Sequence, residues 1–139
     1  MTVKLVDFDY PIVTTALIVL LCGTSVLSTV IRKEVALGIM LIKVCIVVIY
    51  FCWFADGTWF YGGDDSGYFN RGLLLARADP NIFTIWGHPE AFYLKQVHSL
   101  SLIYFHNYLS ILLMGEHYYA PVFFNVFLTT ISVVMLTKI

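Results

Sequence analysis

Residues 35–55 have the sequence VALGIMLIKVCIVVIYFCWFA, in which Lys43 is the single charged side chain. At about 1.5 Å of helix rise per residue, a helix of this length crosses the roughly 30 Å hydrocarbon core of a bilayer. Residues 11–31 and 118–137 are similarly apolar, and neither stretch contains a charged side chain. The sequence therefore predicts an all-α integral membrane protein with three transmembrane helices.

The composition supports lipid as the surrounding medium. Of the 139 residues, 60% are hydrophobic and 12% are charged, whereas a soluble domain is roughly half apolar and a quarter charged. A chain this short has too little interior to bury that excess. The net charge of −1 gives no reason to expect a nucleic-acid partner, and the partner that we expect first is the bilayer.

Basic residues predict the orientation of the spans. Arg32 and Lys33 lie in a very short connection, which we expect to face the cytoplasm. Residues 56–117 then form a long outer loop of a single membrane domain, residues 1–139. Within this loop we predict two helices that lie in the membrane interface, Ser66–Ala78 and roughly Glu90–Met114.

The outer loop contains two adjacent carboxylates, Asp64 and Asp65, which follow two glycines. One carboxylate can accept a proton from an acceptor hydroxyl, which would make both residues catalytic candidates. Asp65 could also bind a divalent cation, Mg²⁺ or Mn²⁺, through oxygen ligands. The alternative is structural, because Asp65 or Ser66 could cap the helix that follows.

Two further polar features leave alternatives open. Lys43 lies about 12 Å of helix rise from Val35, and a lysine at that depth costs on the order of 3 kcal/mol. Either its amine reaches hydroxyls, carbonyls or the headgroups, or its partner is on helices outside this chain. In His88-Pro89-Glu90, the side chains could contact a substrate, or Pro89 could only start a helix.

Several short motifs occur in an order that resembles the N-terminal part of the GT-C membrane glycosyltransferases. In chain order they are Asp64-Asp65-Ser66-Gly67-Tyr68, His88-Pro89-Glu90-Ala91-Phe92-Tyr93, Leu113-Met114-Gly115-Glu116, Ala120-Pro121 and Phe124-Asn125. That superfamily includes the dolichyl-phosphate-mannose protein mannosyltransferases and the bacterial aminoarabinose transferases. Its members transfer a sugar from a polyprenyl-phosphate donor with inversion at the anomeric carbon.

The resemblance implies roles for individual residues. Asp64 or Asp65 would be the general base or a metal ligand. Charge, and not the resemblance, makes Arg71, Arg77 or His88 candidates to meet the donor phosphate, and Tyr68 and Glu90 are further candidates for substrate binding.

The chain departs from the family pattern in two ways. Family members have one span before the acidic loop, whereas this chain has two, and they have roughly ten spans that enclose the donor. Three helices cannot enclose a lipid-linked sugar, so we expect an N-terminal part that is incomplete or inactive alone, or one that works with further helices or a partner subunit. The expected location is a bacterial inner membrane, with a role in surface glycan or lipid modification.

Two other functional classes are compatible with the same sequence. One is a small non-catalytic membrane protein that acts as an accessory or assembly subunit. The other is an oligomeric ion or solute pathway in which Lys43 is a pore residue.

Overall fold

The computed structural model describes residues 10–54, 64–91 and 100–139, and no strand occurs in that part of the chain. Its α-helices are α1 (Tyr10–Leu27), α2 (Lys33–Ile49), α3 (Asp64–Ala78), α4 (Leu100–Met114) and α5 (Ala120–Thr137). A π-helical turn, Tyr50–Phe54, extends α2, and two 3₁₀ turns, Ile85–Gly87 and Pro89–Ala91, precede α4.

Three of these helices are long and apolar enough to cross a membrane. They are α1, α2 continued to Trp53, and α5, with mean hydropathies of 1.9, 2.7 and 1.8. The prediction of an all-helical protein with three membrane-length helices is therefore confirmed. The interfacial position of α3 and α4, the outer loop and the single membrane domain stay predictions.

The spans differ from the predicted bounds at their ends. Helix α1 ends at Leu27, four residues before the predicted end at Ile31. There the hydroxyls of Ser28 and Thr29 donate to the carbonyls three residues earlier, at 2.8 Å in each case. The backbone N–H groups of Thr29 and Val30 also donate to carbonyls three residues earlier, at 3.2 and 3.1 Å, so the chain leaves α1 through a tighter turn.

The two helices predicted in the loop also begin differently. Helix α3 begins at Asp64, two residues before the predicted start at Ser66. Of the predicted helix Glu90–Met114, the structure has a 3₁₀ turn at its start and an α-helix over Leu100–Met114. Residues 92–99 of that prediction lie outside the described residues.

The chain divides into two compact units, one comprising residues 1–57 with 122–139 and the other comprising residues 58–121. In the first, which we name the spanning unit, α1 and α2 pack along their buried sides. Met40 of α2 is fully buried beside Gly23 of α1. The Thr130 hydroxyl on α5 lies 3.5 Å from the Met40 sulfur, so this side chain touches both neighbouring helices.

The second unit, which we name the α3–α4 unit, is built on the packing of α3 against α4. Its buried side chains form one cluster, which consists of Phe69, Leu75, Ala76, Ile85, Ala91, Tyr108 and Ile111. The closest approach is at Gly72, where an added Cβ would lie 2.6 Å from Asn107 Cβ and 2.9 Å from the Tyr108 nitrogen. Glycine is required here because the two backbones leave no room for a methyl group.

Candidate functional site

The predicted acidic site lies at the beginning of α3. Asp64 and Asp65 are the first two residues of this helix. Carboxylates are favourable in a first turn because the unsatisfied N–H groups there carry partial positive charge. Their side chains lie outside the described part of the structure, so their assignment as catalytic residues, and that of Asp65 as a metal ligand, stay predictions.

Tyr68 and Arg71 follow on the same helix. The spacing of four and seven residues places both on the side of α3 that Asp64 occupies. The Tyr68 ring is half-buried against Tyr104 of α4, with ring centroids 5.8 Å apart. Arg71 is half-buried. The α3–α4 packing therefore holds the Tyr68 side chain at the helix interface.

His88 and Glu90 flank the proline of a short turn. The Glu90 backbone N–H donates to His88 Nδ1 at 3.3 Å, and the Glu90 side chain is exposed. The 3₁₀ turn Pro89–Ala91 packs against α3, and its Ala91 is fully buried. The structure thus places this motif beside the helix that begins with the two aspartates, in the same unit as Tyr68 and Arg71.

The structure reveals a polar centre that the sequence analysis did not select, around Asp79. One carboxylate oxygen accepts the Thr84 hydroxyl at 2.6 Å, and the other accepts the Asn81 backbone N–H at 2.9 Å. Together these two bonds lower the pKa of Asp79. The Asp79-Pro80-Asn81 sequence is typical of a turn, and that signal could have indicated a structural carboxylate.

Tyr108 connects α4 to this turn. Its hydroxyl donates to the Asp79 carbonyl at 3.0 Å, and its ring is fully buried. Burial, followed by the negative charge of Asp79, raises the pKa of Tyr108. The residue therefore remains a neutral donor that fixes the end of α3 against α4.

Arg77, one of the predicted phosphate contacts, has a partner within the chain. Its Nε and Nη2 donate to the same Glu116 oxygen at 3.0 and 2.6 Å. The hydrogen bond and charge of Glu116 raise the pKa of Arg77, and the bond from Arg77 lowers the pKa of Glu116. This exposed pair connects the end of α3 to the residue after Gly115, whose positive φ of 95° ends α4.

Lys43 belongs to the spanning unit. It lines an open groove of about 310 Å³ together with residues of α2 and α5, which are Ile46, Val47, Val122, Asn125, Val126 and Thr129. Two polar residues of α5, Asn125 and Thr129, therefore line the same groove as this lysine. No described residue supplies Lys43 with a carboxylate.

The described residues contain no group of three histidine, cysteine or acidic side chains that could hold a metal ion. The three cysteines are free thiols, and Cys52 is buried. A divalent cation at Asp65 stays a prediction, since the Asp65 side chain is not among those described.

No known protein family, curated protein or solved structure matches this chain.

Proposed function

We propose that this chain is the N-terminal part of a polyprenyl-phosphate-sugar-dependent membrane glycosyltransferase that modifies bacterial surface glycans or lipids. The observation that carries the proposal is the position of Asp64 and Asp65 in the first turn of α3, a helix that packs along the apolar helix α4. The apolar helix α4 suits the lipid chain of such a donor, and the two carboxylates would supply a general base and, through a divalent cation, a contact to the anionic phosphate.

The proposed reaction is an inverting displacement. The acceptor hydroxyl oxygen bonds to the anomeric carbon, the bond from that carbon to the phosphate oxygen breaks, and the polyprenyl phosphate leaves with the electron pair. Asp64 or Asp65 accepts the hydroxyl proton as general base. A divalent cation at Asp65, Mg²⁺ or Mn²⁺, would offset the negative charge of the departing phosphate.

The remaining contacts are assigned by where each residue lies. We assign the donor phosphate to Arg71, which follows Asp64 by about two turns of α3, and to His88; Arg77 donates two hydrogen bonds to Glu116. Tyr68 would place its half-buried ring beside the sugar, and the exposed Glu90 carboxylate would accept from sugar hydroxyls. Further membrane helices, in the same polypeptide or a partner subunit, would complete the wall around the donor.

The proposal is tested with membranes of cells that express the chain together with its native partners. Single substitutions Asp64→Asn and Asp65→Asn keep the size of each side chain and remove its charge. We expect transfer of radiolabelled sugar from polyprenyl-phosphate donors to fall at least 100-fold for the variant that lacks the base. Asn70→Asp, an exposed position on the same helix, is the matched control and should retain activity.

The opposite outcome would support the other functional class. If both asparagine variants are present at normal levels and transfer sugar like the wild type, the chain is a non-catalytic accessory or assembly subunit. Chelation with EDTA in the same assay tests the cation, since loss of transfer that Mg²⁺ or Mn²⁺ restores is expected.

A further inference from the structure

We infer that the groove beside Lys43 receives a transmembrane helix that carries a carboxylate at mid-membrane depth. The groove lies between α2 and α5, both within the spanning unit. This inference concerns a partner-binding surface and does not depend on sugar transfer.

The depth of Lys43 is the first observation. The apolar span Lys33–Trp53 has 21 residues, and Lys43 is ten positions from each end, so about 15 Å of helix lies on either side. That distance exceeds the reach of a lysine side chain to either headgroup region. Ionisable residues at such positions face protein or a polar cavity and pair with other groups.

The second observation is that the three described spans contain no carboxylate at the depth of Lys43. Helices α1 and α5 contain no charged residue, and the acid of α2, Glu34, is in the first turn at the end of the span. The groove offers the neutral residues Asn125 and Thr129, and the Thr129 hydroxyl already donates to the Val126 carbonyl at 3.0 Å. A second copy of the chain has the same spans and would add no mid-membrane carboxylate.

The shape of the groove indicates a helix as the occupant. It is open along one side, and the surface that lines it is almost entirely apolar, with valine its commonest residue. Short side chains allow another helix to approach closely. A lipid phosphate lies at the bilayer surface, about 15 Å from this lysine, so a carboxylate on a spanning helix is the anion that can reach it.

The test uses the full chain, labelled with a fluorescent donor, in phosphatidylcholine vesicles. The probes are three synthetic leucine-rich transmembrane peptides, identical except for Glu, Gln or Leu at the central position, each labelled with an acceptor. Energy transfer reports association. We expect the Glu peptide to associate at least tenfold more strongly than the Leu peptide, and this preference to disappear in Lys43→Met.

Two variants test whether the preference for the Glu peptide requires a cation in the groove, or only a cation at this depth in the membrane. Lys43→Arg keeps a cation in the same place and should retain the preference for the Glu peptide, which excludes misfolding as the cause of the loss. The double variant Lys43→Met with Ile42→Lys keeps the charge at nearly the same depth but turns it by about 100° around α2. Position 42 is exposed and outside the groove, so this variant should not regain the preference.

The inference is overturned if the wild type binds the Glu and Leu peptides equally, if Lys43→Met keeps the preference, or if the double variant recovers it. Because the vesicles contain no sugar donor, each of these results leaves the glycosyltransferase proposal unaffected.

Discussion

At the scale of single residues, the polar side chains of the α3–α4 unit separate into two groups. Asp79, Tyr108, Arg77 and Glu116 are occupied by hydrogen bonds inside the unit. These contacts fix where α3 ends, whereas a catalytic role for the two aspartates at the beginning of the helix stays a proposal.

The hydrogen bond of Tyr108 gives one prediction. Tyr108→Phe leaves the buried ring in place but removes the donor to the Asp79 carbonyl, so we expect the α3–α4 unit to lose about 1 kcal/mol of stability. Hydrogen exchange of the chain in lipid nanodiscs, read at the amides of α3 and α4, measures the change. Tyr104→Phe is the control, and equal protection in both variants would contradict the assignment.

The lowered pKa of Asp79 gives a second prediction. The native state holds the ionised carboxylate, so its contribution is present above the unfolded pKa, about 3.9, and is lost as pH falls through the lower native pKa. We therefore expect the turn around Asp79 to become less stable as the pH falls. Trp86, whose ring lies 5.4 Å from Phe105, reports this by fluorescence once Trp53 and Trp59 are replaced by Phe.

The control for the acid titration is a substitution on the same unit. In Asp79→Asn the turn should already be less stable at pH 7, and the Trp86 fluorescence should change less between pH 5 and pH 2. Glu90→Gln, at an exposed position, should titrate like the parent. If acid changes the Trp86 fluorescence of Asp79→Asn as much as that of the parent, a group other than Asp79 controls the stability of the turn.

At the scale of elements, the contact of α3 with α4 depends on the absence of a side chain at Gly72. A Cβ there would meet the backbone of Asn107 and Tyr108, which cannot rotate away. The Gly23 contact in the spanning unit differs, because an added Cβ would meet the flexible end of Met40. We therefore expect Gly23 to tolerate an alanine better than Gly72 does.

Alanine substitution at two glycines of α3 tests this point. Gly72→Ala should destabilise the α3–α4 unit by about 1–3 kcal/mol, since the helices must separate. Gly67→Ala meets no atom within 4 Å, so the better helix propensity of alanine should leave stability unchanged or raise it by at most about 1 kcal/mol. Hydrogen exchange or denaturant unfolding distinguishes the two, and an equal response would contradict the packing described.

At the scale of the whole molecule, three helices are long and apolar enough to cross a membrane, which predicts that the segments between them alternate between its two sides. The sequence predicts that Arg32 and Lys33 face the cytoplasm and that the acidic segment is on the outer side. With an uninterrupted span between them, residues 33 and 65 should be accessible from opposite sides.

Cysteine labelling in intact cells measures this topology. In a background without Cys22, Cys45 and Cys52, a membrane-impermeant maleimide should label Asp65→Cys directly and Lys33→Cys only after the cells are opened. Asn70→Cys, exposed on α3, is a second reporter for the acidic side. Labelling of position 65 only in opened cells would place the doublet in the cytosol and remove the basis of the sugar-transfer proposal.

Amino-acid order alone indicated the helical membrane class and the positions of the three spans, because long apolar stretches with at most one charged side chain in the interior form helices in lipid. It also located helix α3 to within two residues. Exact helix ends were not predictable, since they depend on local backbone bonds such as those of Thr29 and Val30.

Contacts between distant residues were decided only by the tertiary structure. Arg77 and Glu116 are 39 positions apart, and Asp79 and Tyr108 are 29 apart. Neither pair follows a local periodicity, because each depends on how α3 packs on α4 through Gly72. The neighbours of Lys43 were decided in the same way, since the groove exists only where α2 and α5 lie side by side.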